Sequence, residues 1–346
     1  MHVLCYGAGA IGSLVGGRLS QSRAASVTVL ARMPHVAAIR TWGLVLETPR
    51  GRLVCKDLDS IVALDDLASP PDLVILTVKS YQTAGALADL RELLRRGVPV
   101  VSLQNGVGSE EAIAAVAGAD HVVAGSITIS ASVLRPGVVR QQTEGGGIAL
   151  APVGDAPAAE VAAVFRRAGF PTAVHRDYRA MKWSKLLLNQ LANASCAILD
   201  LPPAAIVRDP RLFRIERDAF HEAVRVMRGL GARPVSLPGY PVPLVERLMA
   251  APAWLGRRLL ARGIARGRGQ KMPSLWEDIE KGRGRSEVEA LNGAVAREGA
   301  RLGIPTPTNA MLADVLLAIA SGARDRGELR RKPDALVALR RRCGAT

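Results

Sequence analysis

The sequence predicts an α/β fold, with an N-terminal Rossmann-type doubly wound sheet followed by an all-α C-terminal domain, and three observations carry that prediction. A short β-rich run from Val3 to Tyr6 meets glycines at 7, 9 and 12 and then an apolar, helix-like stretch to Leu19. The later run from Asp72 to Val78 is apolar without alternation, the pattern of a parallel strand covered on both faces. From about Tyr178 the β character stops and helical periodicity takes over, punctuated at Leu201 to Pro203, Arg233 to Pro243 and Gly303 to Pro307.

In chain order the first strand is followed by a second at Val27 to Leu30, which ends near Arg32, and a third at Asp72 to Val78. Val98 to Leu103 forms the next buried strand and runs into the loop Gln104 to Gly108; Val122 to Ile129 forms another. Val138 to Arg140, Ile148 to Ala151 and Thr172 to Val174 read as shorter strands that finish the domain. The expected organisation is a dinucleotide-binding domain over 1–176, a helical substrate and catalytic domain over 177–330, and a basic tail over 331–346 that is a frayed helix or disordered.

A chain of 346 residues, 49% hydrophobic, is long enough for two cores. It has no apolar run of roughly 20 residues and no signal-peptide pattern, which predicts a cytoplasmic protein without membrane partners. Cys5, Cys55, Cys196 and Cys343 are scattered, so neither a disulfide framework nor a metal site is expected. The net charge of +15 raises nucleic acid as a partner, but aromatic residues make up only 3% and no nucleic-acid motif is present. The charge is read instead as an arginine-rich surface that attracts an anionic cofactor and an acid substrate.

In a Rossmann unit one glycine makes the turn, one lets the pyrophosphate approach the backbone, and one lets helix and strand pack. The segment Gly7, Ala8, Gly9, Ala10, Ile11, Gly12 has that spacing between strand and helix, which predicts dinucleotide binding at a helix N-terminus. The second strand ends without the acid that holds a ribose 2′-hydroxyl; it has Arg32, which suits the 2′-phosphate of NADPH, or is simply one more surface arginine. Lys79 ends a buried strand on the ligand side of the sheet, and Asn105 follows another. Lys79 is either a cofactor contact or solvated, and Asn105 either a ligand group or a turn asparagine before Gly106.

Lys185, Asn189 and Asn193 recur at i, i+4 and i+8, which places them along one face of one helix. Reduction of a ketone needs a hydride at carbon and a proton at oxygen, and a desolvated lysine is a competent proton donor. The alternative is an exposed face with Lys182 and Lys185 both in water. Ser274 and the run Ser286, Glu287, Glu289 read either as site groups or as helix starts, the acids complementing a helix dipole.

Taken in order, the glycine loop, Val78 to Ser80, Leu103 to Gly108, Trp183 to Asn189, Pro273 with Ser274, and Glu287 to Gly293 resemble the ketopantoate reductase family over nearly the whole chain. The resemblance implies NADPH-dependent reduction of a small 2-oxo acid, 2-dehydropantoate, to pantoate on the route to pantothenate and coenzyme A. It assigns Lys185 as general acid, Asn105, Asn189, Asn193 and Ser274 as substrate groups, and Glu287 as an active-site carboxylate that also meets the cofactor. Arg32, Lys79, Asn105 and the backbone near Ala131 would join the glycine loop in holding NADPH. Glu287 is taken over Glu289 by local match. A same-fold reductase of another branched 2-oxo acid and a non-catalytic NADPH sensor are the rival readings, and a homodimer is left open. The basic insertion over 237–269 is expected as a surface helical hairpin or an oligomer contact, with membrane-surface contact through Trp254, Leu255, Leu259 and Leu260 as the lesser alternative.

Overall fold

A computed structural model describes residues 1–267 and 271–343; the end of the basic insertion and the last three residues of the tail lie outside the described residues. Two compact units emerge. The first comprises Met1–Gln104, Gly108–Lys182 and Leu237–Tyr240; the second comprises Asn105–Val107, Trp183–Ser236 and Pro241–Thr346.

The first unit holds twelve strands: β1 (His2–Tyr6), β2 (Ser26–Leu30), β3 (Leu44–Thr48), β4 (Gly51–Cys55), β5 (Asp59–Ile61), β6 (Leu73–Leu76), β7 (Val100–Ser102), β8 (Val122–Ile127), β9 (Ala131–Arg135), β10 (Val138–Gln141), β11 (Ile148–Pro152) and β12 (Thr172–Val174). Eight form one sheet in the order β12-β11-β8-β7-β6-β1-β2-β5. β5, β2, β1, β6, β7 and β8 are all parallel. The sheet order reverses between β1 and β6, which creates the crevice where α/β sheets take ligands. β11 runs antiparallel to β8 and carries β12 beside it.

Both faces are apolar because successive residues of each strand point to opposite sides. Val3, Cys5, Leu73 and Ile75 join a core with Leu14 and Leu19 of the helix Ala10–Gln21. Leu4, Val74 and Leu76 join a second core with Leu87, Leu90 and Ile113. This is the expected doubly wound sheet.

A second sheet of four strands, β4-β3-β10-β9, was not foreseen. Val138 to Arg140, expected to finish the main sheet, belongs to it, paired with β3 and β9. The edge strand β4 exposes four of its five residues, so it has no buried face to write an alternating pattern into the sequence.

In the second unit all described regular structure is helical. Its long central helix, Pro210–Gly229, starts on a proline after Asp209, whose side chain accepts the Arg211 amide at 2.8 Å. Its buried face packs on the helices Asn292–Leu302 and Pro307–Ser321. Within the insertion, Val242–Ala250 and Ala253–Gly267 pair as a helical hairpin. In the basic tail Pro333–Cys343 is a helix that contacts the helices Pro210–Gly229 and Pro307–Ser321, with Leu336 fully buried. No helix among the described residues is long and apolar enough to cross a membrane.

Candidate functional site

In the first unit the three glycines have separate duties. Gly7 has φ +87°, and a Cβ there would lie 2.4 Å from Val78 Cγ1 and 2.9 Å from the Val78 nitrogen, so the turn from β1 into the helix Ala10–Gln21, packed on the chain beyond β6, accepts no side chain. At Gly12 a Cβ would come within 2.5 Å of Thr77 Oγ1 and 3.0 Å of the Gly7 oxygen, which makes helix-to-strand packing the reason for that glycine. Gly9 is exposed, and a Cβ there would meet nothing nearer than 4.0 Å. Open space beside Gly9 is what close approach of a pyrophosphate requires. The helix it opens has no acidic residue in its first turn and no side-chain cap. The first-turn amides of Ala10, Ile11 and Gly12 are therefore available in a positive field.

Ala8 is buried in this loop, and its oxygen accepts from Ser13 Oγ at 3.0 Å. Ser13 Oγ in turn lies 3.0 Å from His35 Nε2, while His35 Nδ1 accepts the Gly137 amide at 3.1 Å. That assignment puts the ring proton on Nε2, and burial holds the imidazole pKa below its usual value, so the neutral form fits. The chain of hydrogen bonds ties the glycine loop to the helix Met33–Trp42, whose preceding residue is Arg32. Arg32 is exposed at the end of β2. Lys79 lies half-buried just beyond β6, and Ala131 opens the edge strand β9, also half-buried. The glycine loop, Arg32 and the Lys79 segment thus leave one end of adjacent strands β2, β1 and β6.

Lys182 belongs to this unit and is not in water. It is 2% exposed, and its Nζ lies 2.8 Å from Glu110 Oε1 and donates to the Gln104 oxygen at 2.7 Å. A buried ammonium needs such partners. The exposed-face alternative therefore fails for Lys182, and nothing in the local sequence distinguished it from Lys185.

The second unit gathers Asn105, Lys185, Asn189, Asn193, Ser274 and Glu287. Lys185 and Asn189 are half-buried one turn apart on the helix Tyr178–Gln190. Asn189 Nδ2 donates to Asn105 Oδ1 at 3.2 Å. Asn105 precedes Gly106, which takes the positive φ itself at +87° and where a Cβ would lie 2.4 Å from the Ala290 oxygen. Next to it the Val107 amide donates to that same oxygen at 3.2 Å, so the Asn105 segment lies against the turn Glu287–Ala290. Glu287 is 2% exposed, whereas Glu289 is exposed. Ser286 starts the turn as expected, its Oγ accepting from the Val288 amide at 3.3 Å.

One expectation is corrected here. Lys185, Asn189 and Asn193 do not share one helix: the first helix ends at Gln190 and a second, Asn193–Leu199, begins after a break at Ala192. The amide of Ala192 is taken by Glu216 of the long central helix, a tertiary bond that no local pattern announces. Asn193, buried, accepts the Leu275 amide at 3.2 Å on Oδ1 and so fixes the helix Ser274–Glu280. Ser274 is the exposed first residue of that helix and makes no side-chain cap.

Sequence reasoning also missed a buried polar network behind these groups. Asn309 Oδ1 accepts from Gln190 at 2.7 Å and from Asn292 at 3.0 Å, while Glu222 accepts from the Thr308 and Asn309 amides at 2.9 Å. A signal existed for the acids: Glu216 and Glu222 fall among Leu212, Ile215, Ala219, Phe220 and Ala223 on the buried face of one helix.

Two families of comparison agree on what this architecture is similar to. The family described as Ketopantoate reductase PanE/ApbA matches residues 3–154, and its C-terminal counterpart matches 177–320. A 2-dehydropantoate 2-reductase of Halobacterium salinarum is 33% identical over 323 residues, 91% of this chain and 98% of the relative. A PanE/ApbA family ketopantoate reductase from Ralstonia eutropha superposes with a TM-score of 0.79 at 30% identity, over 93% of this chain and 99% of that one. A D-mandelate dehydrogenase complex with NADH and anilino(oxo)acetate shares the fold, with a TM-score of 0.80 at 23% identity and the same coverage.

Proposed function

The chain belongs to the ketopantoate reductase family, and from that premise we propose that it reduces 2-dehydropantoate to pantoate with NADPH. One observation supports the reading most: in a single unit, Asn105, Asn189, Asn193 with the Ser274 helix, and buried Glu287 come from four separate stretches of sequence, tied by the bonds Asn189 to Asn105, Leu275 to Asn193 and Val107 to Ala290. A cluster of buried or half-buried polar groups costs stability unless it serves a ligand or a network.

Bound NADPH supplies the hydride that adds to the ketone carbon. Lys185 holds the proton at Nζ and delivers it to the ketone oxygen as negative charge develops there. Asn105, Asn189, Asn193 and Ser274 orient the hydroxyl and carboxylate groups of the 2-oxo acid, and Glu287 holds the remaining polar edge. In the first unit the amides after Gly9 would hold the pyrophosphate, and Arg32, with no acid beside it in sequence to repel the anion, would hold the 2′-phosphate. In that unit Lys79 and the backbone at Ala131 would complete the cofactor contacts; Asn105 and Glu287 are the second unit's own proposed cofactor groups.

The reading is tested by following NADPH oxidation with 2-dehydropantoate against a panel of branched 2-oxo acids. Turnover fastest on another acid favours the same-fold alternative, and NADPH binding without turnover on any of them favours the sensor. Arg32→Ala weakens NADPH by about tenfold to a hundredfold and leaves NADH nearly unchanged, the scale of one or two charge-assisted hydrogen bonds. Equal weakening of both dinucleotides refutes the 2′-phosphate role.

A further inference from the structure

From Lys182 to Asp200 the sequence contains neither glycine nor proline, and alanine is the best helix former, so nothing local stops the helix at Gln190. Yet Ala192 sits in the left-handed region at φ 59°, ψ 7°, where a Cβ is strained. In a continuous helix its amide would bond to the Leu188 oxygen. Here that amide donates to Glu216 Oε2 at 2.6 Å, and the hydroxyl of Ser195, in the next turn, donates to Glu216 Oε1. The carboxyl is 4% exposed, and these are its two described hydrogen-bond partners. On the near side of the break Asn189 turns to Asn105; on the far side Asn193 turns to Leu275.

We propose that Glu216 is a positioning residue for substrate: by capturing the Ala192 amide and the Ser195 hydroxyl it breaks the helix between Asn189 and Asn193 and sets how those two amides are presented. The inference rests on the reading of Asn189 and Asn193 as substrate groups. Glu216 itself touches no reacting atom. Its effect is on affinity, so its loss raises KM for the 2-oxo acid while kcat falls little.

The test uses the full chain. Glu216→Leu raises KM for 2-dehydropantoate by about tenfold or more with an unchanged dissociation constant for NADPH, and removes hydrogen-exchange protection from a peptide spanning 189–196. Glu216→Gln keeps an acceptor oxygen and stays within about threefold of the native KM. Adding Ala192→Gly to Glu216→Leu recovers much of the loss, since glycine holds the left-handed conformation unaided. A role in packing alone predicts no such recovery. If Glu216→Leu does not fold, Ser195→Ala removes one of the two donors and raises KM severalfold. Unchanged KM in the folded variants, or no recovery with glycine, overturns the proposal. Asn193→Ala separates the two layers: a raised KM there beside a native KM in Glu216→Leu sinks the positioning role alone, whereas an unchanged KM in Asn193→Ala sinks the substrate reading under it.

Discussion

The glycine loop of the first unit and the broken helix of the second both present polar groups from a turn of chain, but they are built from opposite materials. The loop uses backbone amides and the missing side chains of Gly7, Gly9 and Gly12, all within six residues. The break uses a strained alanine and a buried carboxylate 24 residues away, with further bonds to partners 82 and 84 residues away. A site made from backbone is written in a short motif. A site made from buried side chains is written across the whole chain, and each of its members also carries stability.

The sharpest way to separate the two regions is to remove the proposed proton donor. Lys185→Ala lowers turnover by about two to four powers of ten, the usual scale for a lost general acid, while the NADPH dissociation constant stays nearly native. Steady-state kinetics and a fluorescence titration read the two quantities. A comparable loss of NADPH affinity would show that the regions do not work independently.

Next in size is the other lysine of the same helix. Lys182→Met leaves Glu110 buried without its cation and costs about 3 to 5 kcal/mol in urea unfolding. A variant as stable as the native protein would mean that the buried pair is dispensable.

The carboxylate at the break gives a smaller, pH-dependent effect. Burial raises Glu216 from 4.5 to about 7, against the hydrogen bonds from Ser195 and Ala192 that lower it. A raised acid pKa means the folded state keeps a proton that the unfolded state has released, so this contribution is full below pH 4.5 and is lost as pH rises through 7. The loss amounts to about 3 kcal/mol at one pKa unit per 1.36 kcal/mol. Glu216→Gln lacks this decline, and unfolding free energies from pH 4.5 to 8 compare the two. Parallel profiles would contradict the shift.

The smallest effect on stability belongs to the loop. Gly9→Ala changes the unfolding free energy by no more than about 0.5 kcal/mol, because a Cβ there meets open space, yet it weakens dinucleotide binding. Gly7→Ala costs at least about 1 to 2 kcal/mol from its positive φ alone. Thermal unfolding with and without NADPH distinguishes them, and a large loss of stability in Gly9→Ala would remove the reason given for that glycine.

The same contrast explains what was legible. Val3 to Tyr6, Leu73 to Leu76 and Val100 to Val101 announce buried parallel strands because both faces must be apolar. β3 carries only a three-residue apolar run, Leu44 to Leu46, too short to tell strand from helix, and β4, exposed over four of its five residues, pairs antiparallel with it. Lys182 and Lys185 look alike in sequence, three residues apart, and only Glu110 and the Gln104 oxygen reveal that one of them serves the core.

By itself the sequence determined the doubly wound sheet, the glycine loop and the helical second half, because hydrophobic periodicity and glycine spacing act over a few residues and are enforced wherever the chain goes. Only the tertiary structure decided where the helix after Tyr178 stops and which acid, Glu287 or Glu289, is buried. Those outcomes turn on single hydrogen bonds and on burial by distant segments, and an amide that a carboxylate captures from another helix leaves no trace in the residues beside it.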